Sequence, residues 1–303
     1  MKDKRILIIG SVALDTIETP FGKRDSILGG SATYSSVSAS FFNNGTGIVA
    51  VVGKDFPKKH IATLRKKHIN LEGLKIVDGK TFRWAGNYTY DLHAPVTIFT
   101  HLNVFKDFIP EVPEGMKRAP FVFLANIDPD LQEKVLSQLT GPKFIVCDTM
   151  NFWIDKKKAS LERLLKKVDM FLVNEGEARQ FSGVKNLVSC GNYMLDKGAK
   201  AVIIKKGEHG VLYFSRRSRF SAPAYLLETI CDPTGAGDTF AGGMIGYLSN
   251  ARKINDNNIK KSLIYGSIMA SFVVEDFSIG RMNRLRRKDV DMRYKDFVGI
   301  TRF

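Results

Sequence analysis

The chain has 303 residues, 44% of them hydrophobic and 25% charged, a balance that excludes a disordered chain and suits one large α/β domain with an accessory part. Its formal net charge of +15 is spread over residues 54–67, 156–167, 216–219 and 281–295 without an aromatic-studded groove or zinc-finger spacing. That distribution argues for solvated helix faces and against a nucleic-acid partner. No apolar run reaches the roughly 18 residues needed to span a membrane.

A strand pattern begins at once with Arg5-Ile6-Leu7-Ile8-Ile9 and leaves no room for a signal peptide, so a cytoplasmic protein with no membrane partner is expected. Further apolar runs at 47–53, 121–127, 144–148, 170–174, 201–205 and 211–214 read as strands. Residues 57–68, 128–139, 155–167 and 186–196 carry helical patterns between them. Continuous apolar strands alternating with helices predict a mostly parallel sheet covered on both faces, with ligands beyond the strands' carboxyl ends. Residues 82–104 break the rhythm: 84–91 and 97–102 are two β-rich runs flanking a turn at Pro95, and a hairpin lid over the substrate is expected there. Cys147, Cys190 and Cys231 are odd in number and far apart, so neither a disulfide nor a metal site is expected.

The densest motif is Asp232-Pro233-Thr234-Gly235-Ala236-Gly237-Asp238-Thr239-Phe240-Ala241-Gly242-Gly243. A Gly-x-Gly turn opening a helix aims unpaired N–H groups outward and is suited to an anion. Asp238, just inside the helix, has two open readings: a carboxylate that stabilises the helix start by about 0.3–1 kcal/mol, or a general base beside a phosphate site. Two rival phosphate motifs fail. Gly73 and Gly79-Lys80-Thr81 are spaced one residue too widely for a Walker loop, and Gly235-Ala236-Gly237 lacks the third glycine of a dinucleotide fingerprint.

On these residues the sequence resembles the ribokinase/PfkB family of ATP-dependent sugar and nucleoside kinases. Other matching marks are Gly10-Ser11-Val12-Ala13-Leu14-Asp15, the di-glycine segment Gly29-Gly30-Ser31-Ala32, Asn174-Glu175-Gly176-Glu177, and Lys205-Lys206-Gly207-Glu208-His209-Gly210. The resemblance implies a ribokinase-like three-layer α/β/α fold over 1–303, with a small β-rich lid from about 11–29 and 81–106. It implies transfer of the ATP γ-phosphate to a hydroxyl of a small sugar-like, polyhydroxylated substrate. An adenosine-type nucleoside kinase is the alternative, and a catalytically silent nucleotide- or sugar-binding regulatory protein the second.

Carried over residue by residue, the resemblance makes Asp238 the catalytic base and Gly235, Ala236 and Gly237 the anion hole. Asp15, Gly29, Gly30, Ser31, Tyr34, Arg83, Asn126 and Asn151 would meet substrate. Asn174, Lys205, Gly207, Gly210, Thr234, Gly266 and Ala270 would meet the nucleotide, with Lys205 preferred over Lys206 for its phosphates. Asn174 and Glu177 would hold Mg²⁺ through water, and Asp232 and Thr234 stand where ligands for K⁺ are expected. Tyr34 replaces the Asn common in sugar kinases, and its ring is expected to stack on a sugar or nucleobase. A homodimer through the lid is a further expectation.

Overall fold

The computed structural model describes residues 3–92 and 94–302; His93, within the expected lid, lies outside them. Thirteen strands among the described residues form two sheets. They are β1 (Ile6–Ile9), β2 (Ala13–Thr19), β3 (Gly22–Gly29), β4 (Thr46–Gly53), β5 (Asn70–Val77), β6 (Arg83–Tyr88), β7 (Pro95–His101), β8 (Phe121–Leu124), β9 (Phe144–Asp148), β10 (Met170–Asn174), β11 (Ala201–Lys205), β12 (Val211–Ser215) and β13 (Arg219–Ala222). The main sheet runs β13-β12-β11-β10-β9-β8-β1-β4-β5. All its pairs are parallel except β11–β12 and β12–β13.

Alternation along β1 explains the layering. Ile6 and Ile8 point into one core, while Leu7 and Ile9 point into the other. The first core is closed by helices Ser31–Ser40, Ala236–Asn250 and Asp256–Val273, and the second by Pro129–Leu136, Lys158–Leu165, Glu175–Ser182 and Leu187–Asp196. Both faces of the sheet are therefore dry, as the unbroken apolar strands require. From β1 the chain first builds outward to β4 and β5 and then returns to β8 on the other side. This reversal leaves a crevice at the carboxyl ends of β1 and β8.

The lid is larger than a hairpin. β6 and β7 are antiparallel, but β6 also pairs in parallel with β2, which pairs with β3, giving the order β3-β2-β6-β7. Pro95 is the first residue of β7, not the turn that the sequence suggests. As an edge residue it needs no ladder N–H. The expected helix over 155–167 is two helices, Asn151–Lys156 and Lys158–Leu165, because Lys157 between them has non-helical angles (φ −138, ψ 38). The strand expected over 121–127 stops at Leu124.

Candidate active site

The strand ends, the lid and one helix start meet in the crevice. Helix Ala236–Asn250 begins after Gly235, whose φ is +75. Thr239 N–H donates to the Gly235 carbonyl at 2.8 Å, closing the first turn. A Cβ on Gly235 would lie 2.4 Å from the Tyr34 ring, so glycine is required both by the left-handed backbone and by that ring. Asp238 follows within the first turn, and its carboxylate has no hydrogen-bond partner among the described residues. Burial first, and then the charge of Asp148, push its pKa up to about 7 against the pull of Lys205.

Three adjacent strand ends face this helix start. Lys205 at the end of β11 sends Nζ across β10 to Asp148 Oδ2, at the end of β9, at 2.7 Å. A Cβ on Gly237 would lie 3.1 Å from the same Nζ, so the ammonium rests on the backbone of the 235–237 turn. Burial works against that ammonium, but Asp148, Glu177 and Asp238 outweigh it and raise its pKa. Lys206 instead turns to the His209 carbonyl at 3.4 Å. Between the two strand ends, Asn174 Oδ1 accepts from Glu177 N–H at 2.8 Å and Glu177 Oε2 accepts from Asn174 N–H at 2.7 Å. This capping box explains the motif in part. It leaves Glu177 Oε1 uncommitted, and burial pushes the Glu177 pKa up to about 7.

The lid side contributes Asp15 from β2. Its Oδ2 lies where a Cβ on Gly29 would be 1.8 Å away, so the first glycine of the pair makes room for the carboxylate. Gly30 has φ +97, and its N–H bonds Asp15. Burial, then the charges of Asp232 and Asp238, push the Asp15 pKa up to about 8. Asp232 is buried too, and its two oxygens accept from Thr234 N–H at 2.9 Å and Ser278 N–H at 3.3 Å. Burial raises its pKa, with these bonds opposing. Thr234 Oγ1 donates to the Tyr88 hydroxyl at 3.1 Å, which ties the loop before helix Ala236–Asn250 to the lid sheet.

A carboxylate at a helix start beside backbone donors and an ammonium is equipped to accept a proton next to a bound phosphate. A sequence profile described as "pfkB family carbohydrate kinase" matches residues 6–284. The cytidine kinase of Thermococcus kodakarensis is 31% identical over 256 residues, covering 83% of this chain and 91% of that one.

The chain belongs to the pfkB family of carbohydrate kinases.

Solved structures agree on the fold. The nucleoside kinase of Methanocaldococcus jannaschii superposes with a TM-score of 0.77 at 20% identity, covering 97% of this chain and 99% of that one. A putative ribokinase II from E. coli, in complex with ATP and Mg²⁺, gives 0.79 at 18% identity, covering 96% and 99%.

Within this pfkB-family chain, the remaining expected residues divide. Ser31 is buried and locked to Ser11: each hydroxyl oxygen accepts from the other's backbone N–H, at 3.0 and 3.1 Å. Tyr34 does not stand where it could stack on a ligand ring. It is buried under Gly235, with a hydroxyl that finds no partner. Burial, then Asp15, Asp232, Tyr88 and Asp238, hold that phenol well above its ordinary pKa. Arg83 is half-buried, reaching Asp55 and Ser26 at 3.5 Å. Asn126 keeps a buried Oδ1 without a partner, whereas Asn151 is exposed and bonds Phe152 N–H with its own Oδ1 at 2.9 Å.

Gly207 and Gly210 form the turn between β11 and β12, with φ of +57 and +85. Gly266, expected beside adenine, is accounted for by helix packing, since a Cβ there would lie 2.8 Å from the Phe240 carbonyl oxygen. Ala270, one turn on, is half-buried against the same core. Asp148 was not singled out in the sequence, although it ends a predicted strand. Buried Gln132 also fixes its backbone, donating Nε2 to the carbonyls of Leu124, Ala125 and Asp148 at 2.9–3.2 Å. Among the described residues, no helix is long and apolar enough to cross a membrane.

Proposed function

We propose that this chain is an ATP-dependent nucleoside kinase, transferring the γ-phosphoryl group to a hydroxyl of a ribonucleoside, with a pyrimidine nucleoside as the favoured acceptor. The observation that carries the phosphotransfer half is the unpaired Asp238 carboxylate in the first turn after Gly235, beside the Lys205 ammonium. The nucleoside half rests on the likeness to a cytidine kinase over 83% of this chain and 91% of that one. The sugar-kinase reading, favoured by the motifs alone, becomes the second.

In this mechanism Asp238 accepts the proton of the acceptor hydroxyl as its oxygen attacks the γ-phosphorus. The N–H groups of Gly235 and Gly237, with the helix dipole behind them, stabilise charge on the transferring group, and Ala236 N–H, which donates to the Pro233 carbonyl at 3.2 Å, joins them by sharing that donor. Lys205 adds a positive charge against the same oxygens. Asp15 accepts hydrogen bonds from the sugar hydroxyls and orients the acceptor. Glu177, with one oxygen uncommitted, suits Mg²⁺ held through water, which neutralises phosphate charge when bound. Asp232 and Thr234 remain the proposed neighbours of K⁺. Both Asp232 oxygens already take N–H bonds, so each would have to serve the cation with its second lone pair.

The test is ADP release with ATP and Mg²⁺ across cytidine, uridine, adenosine, inosine, ribose, fructose and fructose 6-phosphate. A nucleoside should exceed every free sugar in kcat/KM by at least about 10²-fold, the scale on which an apolar pocket that fits a base discriminates against a ligand that leaves it unfilled. Preference for a free sugar would replace the nucleoside reading. Tight nucleoside binding without ADP release would favour a regulatory protein.

A further inference from the structure

Lys205 and Asp148 lie two strands apart in the sheet, at the ends of β11 and β9, and the lysine side chain crosses β10 to close the gap. Stability is a poor reason for such a contact. A buried ion pair often contributes nothing net, because desolvation of both charges offsets their attraction. This pair also sets an ammonium against the N-terminus of helix Ala236–Asn250, where the helix dipole opposes a cation. Of the three N–H donors on Nζ, one meets Asp148 and the other two have no acceptor among the described residues. The side chain is only 17% exposed, so these donors are largely withheld from water.

We propose that Asp148 is a positioning residue for phosphoryl transfer, holding the Lys205 ammonium over Gly237 so that its two free donors meet the phosphate oxygens. The proposal rests on the reading of Gly235–Gly237 as the phosphate site. Asp148 touches neither nucleotide nor acceptor in this scheme. It acts by fixing where Lys205 stands and by sharing the field with Asp238. The charged groups facing that ammonium are Asp148 from β9, Glu177 from helix Glu175–Ser182 and Asp238 from helix Ala236–Asn250. Arg179 and Glu175 on the same helix pair with each other at 3.0 Å instead.

The geometry predicts opposite signatures for the two partners. Asp148 raises the proton affinity of Asp238 and of Lys205, whereas Lys205 lowers that of Asp238. Asp148→Asn therefore moves the acid limb of the kcat/KM pH profile to lower pH, because the base ionises sooner. Lys205→Met moves the acid limb to higher pH and weakens ATP binding. A misplacement of about 1 Å costs up to about 10²-fold, so Asp148→Asn should lower kcat/KM by about ten-fold at its optimum. In the Lys205→Met background the same change should lower kcat/KM at the optimum little further, while the acid limb still moves to lower pH.

The experiment is a pH profile of both variants and the double variant, with ATP affinity by calorimetry and Tm as the check on folding. Asp148→Ser is the second variant if Asp148→Asn folds poorly. Wild-type kcat/KM in Asp148→Asn, or a lower rate with an unmoved acid limb, would overturn the proposal while leaving the phosphate site intact. If Lys205→Met also bound ATP as wild type does, the phosphate-site reading itself would fail.

Discussion

The Tyr34 ring lies directly beneath Gly235, so close that a Cβ on the glycine would sit 2.4 Å from a ring carbon. The floor of the proposed anion hole is thus an aromatic face supplied by helix Ser31–Ser40. Gly235→Ala meets both that ring and a φ of +75, which costs about 1–2 kcal/mol in backbone strain alone. We expect it to lower kcat by at least about 10²-fold by displacing the N–H donors. Unchanged kinetics would show that the turn tolerates movement.

Tyr34→Phe keeps the floor and removes a buried hydroxyl that has no partner. An unsatisfied buried polar group costs about 1–3 kcal/mol, and each kcal/mol moves Tm by about 2–4 °C in a large domain. The ligand-free variant should therefore melt a few degrees higher by calorimetry. A lower Tm would mean that the hydroxyl does find a stabilising partner in solution.

How much of this was legible in the sequence depends on where each signal resided. β9, β10 and β11 lie where their apolar runs end, since parallel strands buried on both faces must be continuously apolar. Helix Ser31–Ser40 went unseen because it has no apolar stripe. Its small residues are buried, and Thr33 and Ser35 hydroxyls bond back to the carbonyls of Gly29 and Ser31 at 2.7 and 2.6 Å. The residue pattern alone does not show β3, which only the resemblance places in the lid: Lys23, Arg24, Asp25 and Ser26 are exposed and carry no alternation. Asp238 and Lys205 were readable from motif order. The burial of Tyr34 under Gly235 and the Asp148–Lys205 pair were not, because both join distant stretches of chain that only the fold brings together.

Stability should depend on pH through the buried acids. Asp15, Asp238 and Glu177 have folded pKa values raised to about 8, 7 and 7, above an unfolded value of about 4. They bind protons more tightly when folded, so their favourable contribution is full below about pH 4 and is lost as pH rises through 7 to 8. Asp15→Asn should match the wild-type Tm near pH 4 and exceed it increasingly up to pH 9. A constant difference across that range would contradict the assigned burial of the charge.

Glu177→Gln separates the cap from the metal. The amide oxygen can still accept the Asn174 N–H, so Tm at pH 6 should fall by less than the equivalent of about 1 kcal/mol. The Mg²⁺ concentration for half-maximal rate should rise about 10- to 100-fold, the usual effect of losing an outer ligand. A variant with unaltered Mg²⁺ dependence would leave Glu177 as a capping residue alone.

The central claim is that Asp238 takes the acceptor's proton, and Asp238→Asn tests it most directly. Turnover with the preferred acceptor and ATP dissociation should be measured on the same preparation. We expect kcat to fall about 10²- to 10⁴-fold while ATP affinity stays within a few-fold of wild type, and the wild-type acid limb near pH 7 to be absent from the residual rate. Near-normal turnover in the variant, with ATP bound as before, would contradict the account.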